Sequence, residues 1–206
     1  MIATHQRQPL AGPAGTLEVA IDAPPPGALE QGVAVLCHPH PQHGGTMDNK
    51  VVATLSRAFV QLGWRAVRFN FRGVQGSAGE WDHGTGEIDD ALAVIDAHRA
   101  PHRPLVLGGF SFGGYVASQA AARLAAQAAP ATRLVLIAPA AVNFALAAVP
   151  ADTLVVHGEA DDVVPMSAVL DWARPQSLPV TVVPGAGHFF HGQLTLLKQI
   201  VGAAFR

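Results

Sequence analysis

Three short stretches of the sequence hold side chains that can do chemistry together. "GFSFGG" (109–114) sets Ser111 in the pattern Gly-x-Ser-x-Gly, "EADDVVP" (159–165) offers Asp161 and Asp162, and "AGHFFHG" (186–192) offers His188 and His191. A serine hydroxyl is a poor nucleophile near neutral pH unless an imidazole takes its proton and a third group orients that imidazole. The order Ser, Asp, His therefore predicts nucleophilic catalysis. The serine needs a sharp strand-to-helix turn that lifts its hydroxyl clear, and the flanking glycines let strand and helix approach closely.

A fourth stretch, "CHPHPQHGGTMDN" (37–49), carries His38, His40 and His43 and admits two readings. His-x-His-x-x-His spacing occurs in dinuclear metallohydrolases, and zinc accepts imidazoles readily. Those sites place a carboxylate before the last histidine, where this chain has Gln42, and Asp48 lies beyond the cluster. A full metal site would also need Asp161, His188 and His191, which leaves the Ser111 turn unexplained. No metal and no cofactor are expected. Gly73, Gly76 and Gly79 match neither a dinucleotide fingerprint nor a phosphate loop.

These loops have to be positioned by a scaffold, and the pattern of apolar runs supplies one. "GVAVLC" (32–37), "WRAVRFN" (64–70), "PLVLGGF" (104–110), "RLVLIAP" (133–139), "TLVVHG" (153–158) and "VTVVPG" (180–185) read as strands covered on both faces. Helical spacing is expected over 48–62, 86–100, 114–129, 167–174 and 189–205. The alternation predicts an α/β fold: a mostly parallel twisted sheet with helices on both faces. "TLEVAID" (16–22) alternates before a "PPPG" turn and is expected to add an antiparallel edge strand. In open sheets of this kind, chemistry collects in loops at the carboxyl ends of the strands, where all four stretches fall.

Composition narrows the function classes. A chain of 206 residues fits one domain, 1–206, and half of it is apolar with only 14% charged, so compact folding is expected. A net charge of −2 offers no footprint for nucleic acid or an anionic membrane. The lone Cys37 forms no internal disulfide, and "MIATHQRQPLAGPAG" lacks the basic flank and apolar stretch of a signal peptide, so a cytoplasmic location is expected. Residues 134–151 are uncharged, but Pro139, Asn143 and Pro150 interrupt them, and they read as strand plus apolar loop rather than a membrane span. The oligomeric state is not encoded legibly.

Taken in order, "HPHPQHGGTMDNKVV", "NFRGVQGSAGEWDHGTGEIDDA", "GFSFGG", "HGEADDVVP" and "GAGHFFHG" make the chain resemble a small α/β-hydrolase of the compact bacterial kind without a lid. The resemblance runs from about "TLEVAID" onward and implies a serine hydrolase of ester or thioester bonds acting through an acyl-enzyme. In that family the acid lies in His-Gly-x-x-Asp, which here selects Asp161 over Asp162; His188, first after "GAG", is preferred to His191. The oxyanion needs two backbone donors, one of them on the residue after the nucleophile, Phe112. Because Pro39 and Pro41 carry no N–H, the nearest donor beyond His38 is the amide of His40. On this reading His38 and His43 support their loop by hydrogen bonds, with His43 equally readable as an incidental loop residue. Two rivals are a metal-dependent hydrolase built on the His38/His40/His43 loop and a non-catalytic ligand-binding protein on the same scaffold.

The remaining features carry lesser expectations. Thr85, Glu87, Asp89 and Asp90 are expected to cap the helix they enter and complement its dipole. Arg72 is expected in a structural salt bridge, with binding of an anionic substrate group as the alternative, and Cys37 as a buried small side chain, with a reactive thiol near the site as the alternative. Only about a dozen residues separate Pro139 from the next strand, within ordinary connection lengths and too few for a cap. An open site follows, with Trp81, Phe144, Leu146 and Phe190 as candidate apolar walls that serve equally well as core.

Overall fold

The fold is given by a computed structural model, which describes residues 4–206. In chain order the elements are β1 (Thr4–Gly12), β2 (Gly15–Ala23), β3 (Val33–Cys37), α1 (Lys50–Gln61), β4 (Arg65–Phe69), α2 (Thr85–His98), β5 (Leu105–Phe110), α3 (Phe112–Ala126), β6 (Arg133–Ile137), β7 (Leu154–Gly158), α4 (Met166–Ala173), β8 (Val180–Val183) and α5 (Leu194–Ala204). The strands form one sheet in the order β1-β2-β4-β3-β5-β6-β7-β8. From β4 to β8 every pairing is parallel, and β1 and β2 join antiparallel.

Alternation along each strand divides the core into two layers. Val33, Val35 and Cys37 of β3 face a cluster built with Ile88 and Val94 of α2, Val116 of α3 and Val169 of α4. Ala34 and Leu36 face the opposite cluster, with Val52, Leu55 and Phe59 of α1 and Leu197 and Val201 of α5. Period-two side chains on a strand buried on both faces produce this division, and it gives the expected α/β sheet with helices on both sides.

Three local readings are corrected. "TLEVAID" is antiparallel but not at the edge, because β1 pairs along its outer side from Thr4↔Ala23 to Gly12↔Gly15. The last helix begins at Leu194 rather than at residue 189, because Phe190 (φ 51°) and Gly192 (φ 76°) turn left-handed and interrupt any right-handed helix. Residue 48 lies outside α1: Asn49 is the N-cap, its side-chain oxygen accepting from the Val51 amide at 2.9 Å, while Asp48 pairs with Arg7 and Arg68.

Residues 134–151 form β6 and an irregular connection, and no helix among the described residues is long and apolar enough to cross a membrane. That connection packs over α3 and α4: Gln119 donates to the Ala145 carbonyl, and the Trp172 indole N–H to that of Ala147.

Candidate active site

Ser111 sits between β5 and α3 at φ 55°, ψ −118°, a conformation that costs an L-residue energy and persists only when its surroundings hold it. The hold is visible in the backbone. The Ser111 amide donates to the Ile137 carbonyl at 2.9 Å, and its own carbonyl accepts from the amides of Gly114 (2.9 Å) and Ala140 (3.2 Å). The flanking glycines answer to close backbone approach. A Cβ on Gly109 would lie 2.0 Å from the Gly113 carbonyl oxygen, and one on Gly113 2.2 Å from that of Cys37. Neither wall is a side chain able to swing away, so the Gly-x-Ser-x-Gly spacing is a packing requirement of β5, α3 and the end of β3.

The acid and imidazole loops are fastened to each other. The Ala160 amide donates to the Ala186 carbonyl (2.9 Å), and Gly158 lets β7 pass close by, since a Cβ there would come 2.3 Å from that same oxygen. Asp161 Oδ1 accepts from the amides of Val163 (2.9 Å) and Val164 (2.8 Å), which fixes the carboxylate plane. Its Oδ2 lies 2.8 Å from His188 Nδ1, and His188 Nε2 lies 3.1 Å from Ser111 Oγ. An ionised carboxylate only accepts, so His188 carries its proton on Nδ1 and turns the Nε2 lone pair to the serine hydroxyl. Burial alone would raise the Asp161 pKa; the bonds from His188 and the two amides outweigh it and hold the carboxyl below its ordinary value. Asp162 is exposed, and His191, also exposed, stacks on Phe189 at 5.8 Å between ring centroids.

The His38 loop wraps the other side of Ser111. His38 is fully buried; its Nδ1–H donates to the Pro39 carbonyl at 2.6 Å, and its Nε2 accepts from the Phe71 amide at 3.1 Å. Both ring nitrogens are thereby engaged in tying the loop to the chain after β4. The His43 ring instead stacks on that of His40 at 4.4 Å, with no hydrogen bond to its loop. The N–H groups of Phe112, the first residue of α3, and of His40 find no acceptor among the described residues. The three imidazoles do not converge on a common point, and no cluster of three His, Cys, Asp or Glu side chains suited to a metal occurs among the described residues.

Burial pushes the His38 pKa down to about 3. Against an unfolded value of about 6.5, the unfolded chain takes up a proton that the folded one refuses. This contribution to stability is complete above the unfolded pKa and declines by about 1.4 kcal/mol per pH unit as pH falls toward the folded one. Urea midpoints measured from neutral pH down to pH 4 should fall less steeply, by about one proton's slope, in His38→Gln than in the native chain. Equal slopes would show that this histidine does not carry the acid sensitivity.

A cleft of about 130 Å³ opens over Ser111 and His188, bounded by His40, His43, Gly45, Asn49, Val163 and Phe189. Of the expected walls, Phe190 is wholly buried in the α1/α5 layer, and Leu146 does not border the cleft. Trp81 and Phe144 stand behind it, 4.6 and 5.9 Å from the His40 ring centroid. Val163 and Phe189 were not legible as cleft residues, although each lies within two positions of Asp161 or His188. A larger hollow of about 310 Å³ near β2 and α1 is remote from this chemistry, and its Arg68, Ser56 and His5 side chains all bond to Asp22.

Arg72, Glu87, Asp89 and Asp90 are engaged in contacts within the fold. Arg72 forks onto buried Asp90, Nε to Oδ2 at 3.0 Å and Nη2 to Oδ1 at 2.8 Å, so Asp90 is an ion-pair partner rather than a cap. Glu87 alone caps α2, accepting from the amides of Gly84 (2.7 Å) and Asp82 (3.0 Å), and Asp89 pairs with Arg123. Cys37 is buried, and burial raises its thiol pKa well above the ordinary range.

Comparison with known proteins places the fold. Residues 32–195 match the family described as "Alpha/beta hydrolase domain". XC6422 from Xanthomonas campestris, described as an a/b serine hydrolase without lid, is 42% identical at a TM-score of 0.88, over 99% of this chain and 94% of that one. An alpha-beta serine hydrolase homologue from Coxiella burnetii is 38% identical at a TM-score of 0.82, over 98% of each chain. The uncharacterized protein RP471 of Rickettsia prowazekii (strain Madrid E) is 33% identical over 175 residues, which are 77% of this chain and 71% of that protein.

Proposed function

This chain belongs to the α/β-hydrolase family, and from that premise we propose that it hydrolyses carboxylic esters or thioesters of small molecules through an acyl-enzyme on Ser111. The observation that carries the reading is the unbroken path from Ser111 Oγ through His188 to Asp161, at 3.1 and 2.8 Å, beside an open cleft. Ser111 attacks the carbonyl carbon as His188 Nε2 takes the hydroxyl proton. Asp161 keeps the imidazole in the required tautomer and stabilises its charged form.

The oxyanion is held by the free N–H groups of Phe112 and His40, the prolines on either side of His40 having none to offer. His188 then returns the proton to the leaving oxygen or sulfur. Water, deprotonated in turn by His188, releases the acid. No step needs a metal, and the engaged ring nitrogens of His38 support a purely structural part for that residue. The reading includes work in a reducing cytoplasm, supported by the single, buried thiol.

A shared acyl-enzyme is tested by partitioning. Phenyl acetate and an acetyl thioester, hydrolysed in the presence of methanol, should give the same ratio of methyl acetate to acetic acid, because both leaving groups have departed before water or methanol competes. Ratios that depend on the leaving group would contradict the mechanism.

A further inference from the structure

We propose that Phe189 and Val163 form the leaving-group subsite of this cleft, and that it selects uncharged esters of apolar alcohols; the inference rests on the serine-hydrolase reading above. Phe189 is 43% and Val163 52% exposed, among the few large apolar side chains so open to water, and both border the Ser111 cleft. Scattered exposed apolar residues need no explanation, but two that share the mouth of a cleft over a nucleophile form a surface that a ligand can dry.

Their place in the chain assigns them a side. The leaving oxygen must receive its proton from His188 Nε2, so the alcohol portion departs on the side of the imidazole. Phe189 follows His188 directly, and Val163 lies on the turn that carries Asp161. The other boundary, from His40 to Gly45 with Asn49, belongs to the loop proposed to hold the oxyanion.

The Phe189 ring is also held in place: edge-on to His188 at 5.1 Å and to Phe110 at 5.7 Å, and stacked on His191 at 5.8 Å. A ring fixed on several sides while still exposed is a preformed shelf, which costs little ordering when a ligand lands on it. No Asp, Glu, Lys or Arg borders the cleft, so no permanently charged side chain there compensates a charged substituent. Its volume of about 130 Å³ is small beside the 300–1,000 Å³ of closed ligand pockets, so the alcohol portion extends outward across the shelf.

Two ester series separate the sides of the cleft. Across n-alkyl acetates from ethyl to hexyl, where leaving-group basicity hardly changes, kcat/KM should rise about two-fold per methylene, half on a logarithmic scale of what full burial gives. Phe189→Ala and Val163→Ala should flatten that rise, and Phe189→Leu should restore part of it. The slope across ethyl alkanoates from acetate to hexanoate should not change in these variants. Leu196→Ala, an exposed apolar residue on α5, should leave both slopes as they are. The subsite is overturned if the native enzyme shows no rise or no turnover with alkyl acetates, if Phe189→Ala keeps the full rise, or if only the alkanoate slope moves. Failure of the serine mechanism reads differently, as full ester hydrolysis by Ser111→Ala.

Discussion

Ser111→Ala should lower kcat on an activated ester by a factor on the order of 10⁵ to 10⁶, the loss seen when the nucleophile of a serine hydrolase is removed. The fold should survive. The one hydrogen bond of Ser111 Oγ is to His188, and the backbone bonds that hold φ 55° come from main-chain groups an alanine keeps. Thermal unfolding should therefore shift by only a few degrees, and KM should change far less than kcat. Retained turnover would favour the metal-dependent rival, in which the histidine loop works and a chelator abolishes activity. A variant that has lost its fold would show that the strained turn needs the hydroxyl for stability, which the hydrogen-bond pattern contradicts.

Asp161→Asn should cost about 10⁴ in kcat with little change in overall structure. An asparagine amide turned toward His188 Nδ1 donates where the carboxylate accepted. The imidazole then carries its proton on Nε2 and presents a donor to Ser111 in place of a base. The Val163 and Val164 amides can still find the asparagine carbonyl oxygen, so the turn need not collapse. Asp162→Asn is the control: exposed and outside the path, it should hold kcat within about two-fold, as surface substitutions remote from a site do. Comparable losses in both variants would show that the carboxylate acts through the general field and not through the imidazole.

The parts of the fold readable from sequence were those with a burial signature. β3 to β7 are short, largely apolar runs because they lie in a sheet covered on both faces, whereas β8, expected to be covered likewise, is an edge strand with Thr181 and Val182 exposed. β1 left no such mark: "THQRQPLAG" is mostly polar and exposed, contains Pro9, and forms an edge held to β2 by backbone bonds that no side-chain pattern reports. The start of α5 was misplaced for the opposite reason. "FFHGQ" has apolar residues at suitable spacing, but Phe190 and Gly192 adopt positive φ, and Gly192 was the available warning.

The site divides along the same line. Ser111, Asp161 and His188 were legible because each chemical group sits in a loop after a strand, in a constrained order. Which of two neighbouring side chains faces the cleft was not, since it depends on turn dihedrals. Phe190 points into the core and Phe189 outward, as the left-handed turn at Phe190 requires. His157 also escaped notice: buried in β7, its Nε2 donates to the Val164 carbonyl at 2.9 Å and steadies the turn bearing Asp161. Only a fold places that histidine beside the carboxylate.

The measurement that bears most directly on the whole account is mass mapping after treatment with a fluorophosphonate, with and without prior denaturation. Native protein should gain one phosphonyl group per chain, located on the peptide carrying Ser111, and His188→Ala or prior unfolding should abolish the gain. No adduct on native protein, or one on a residue other than Ser111, would contradict the claim that His188 makes Ser111 a nucleophile.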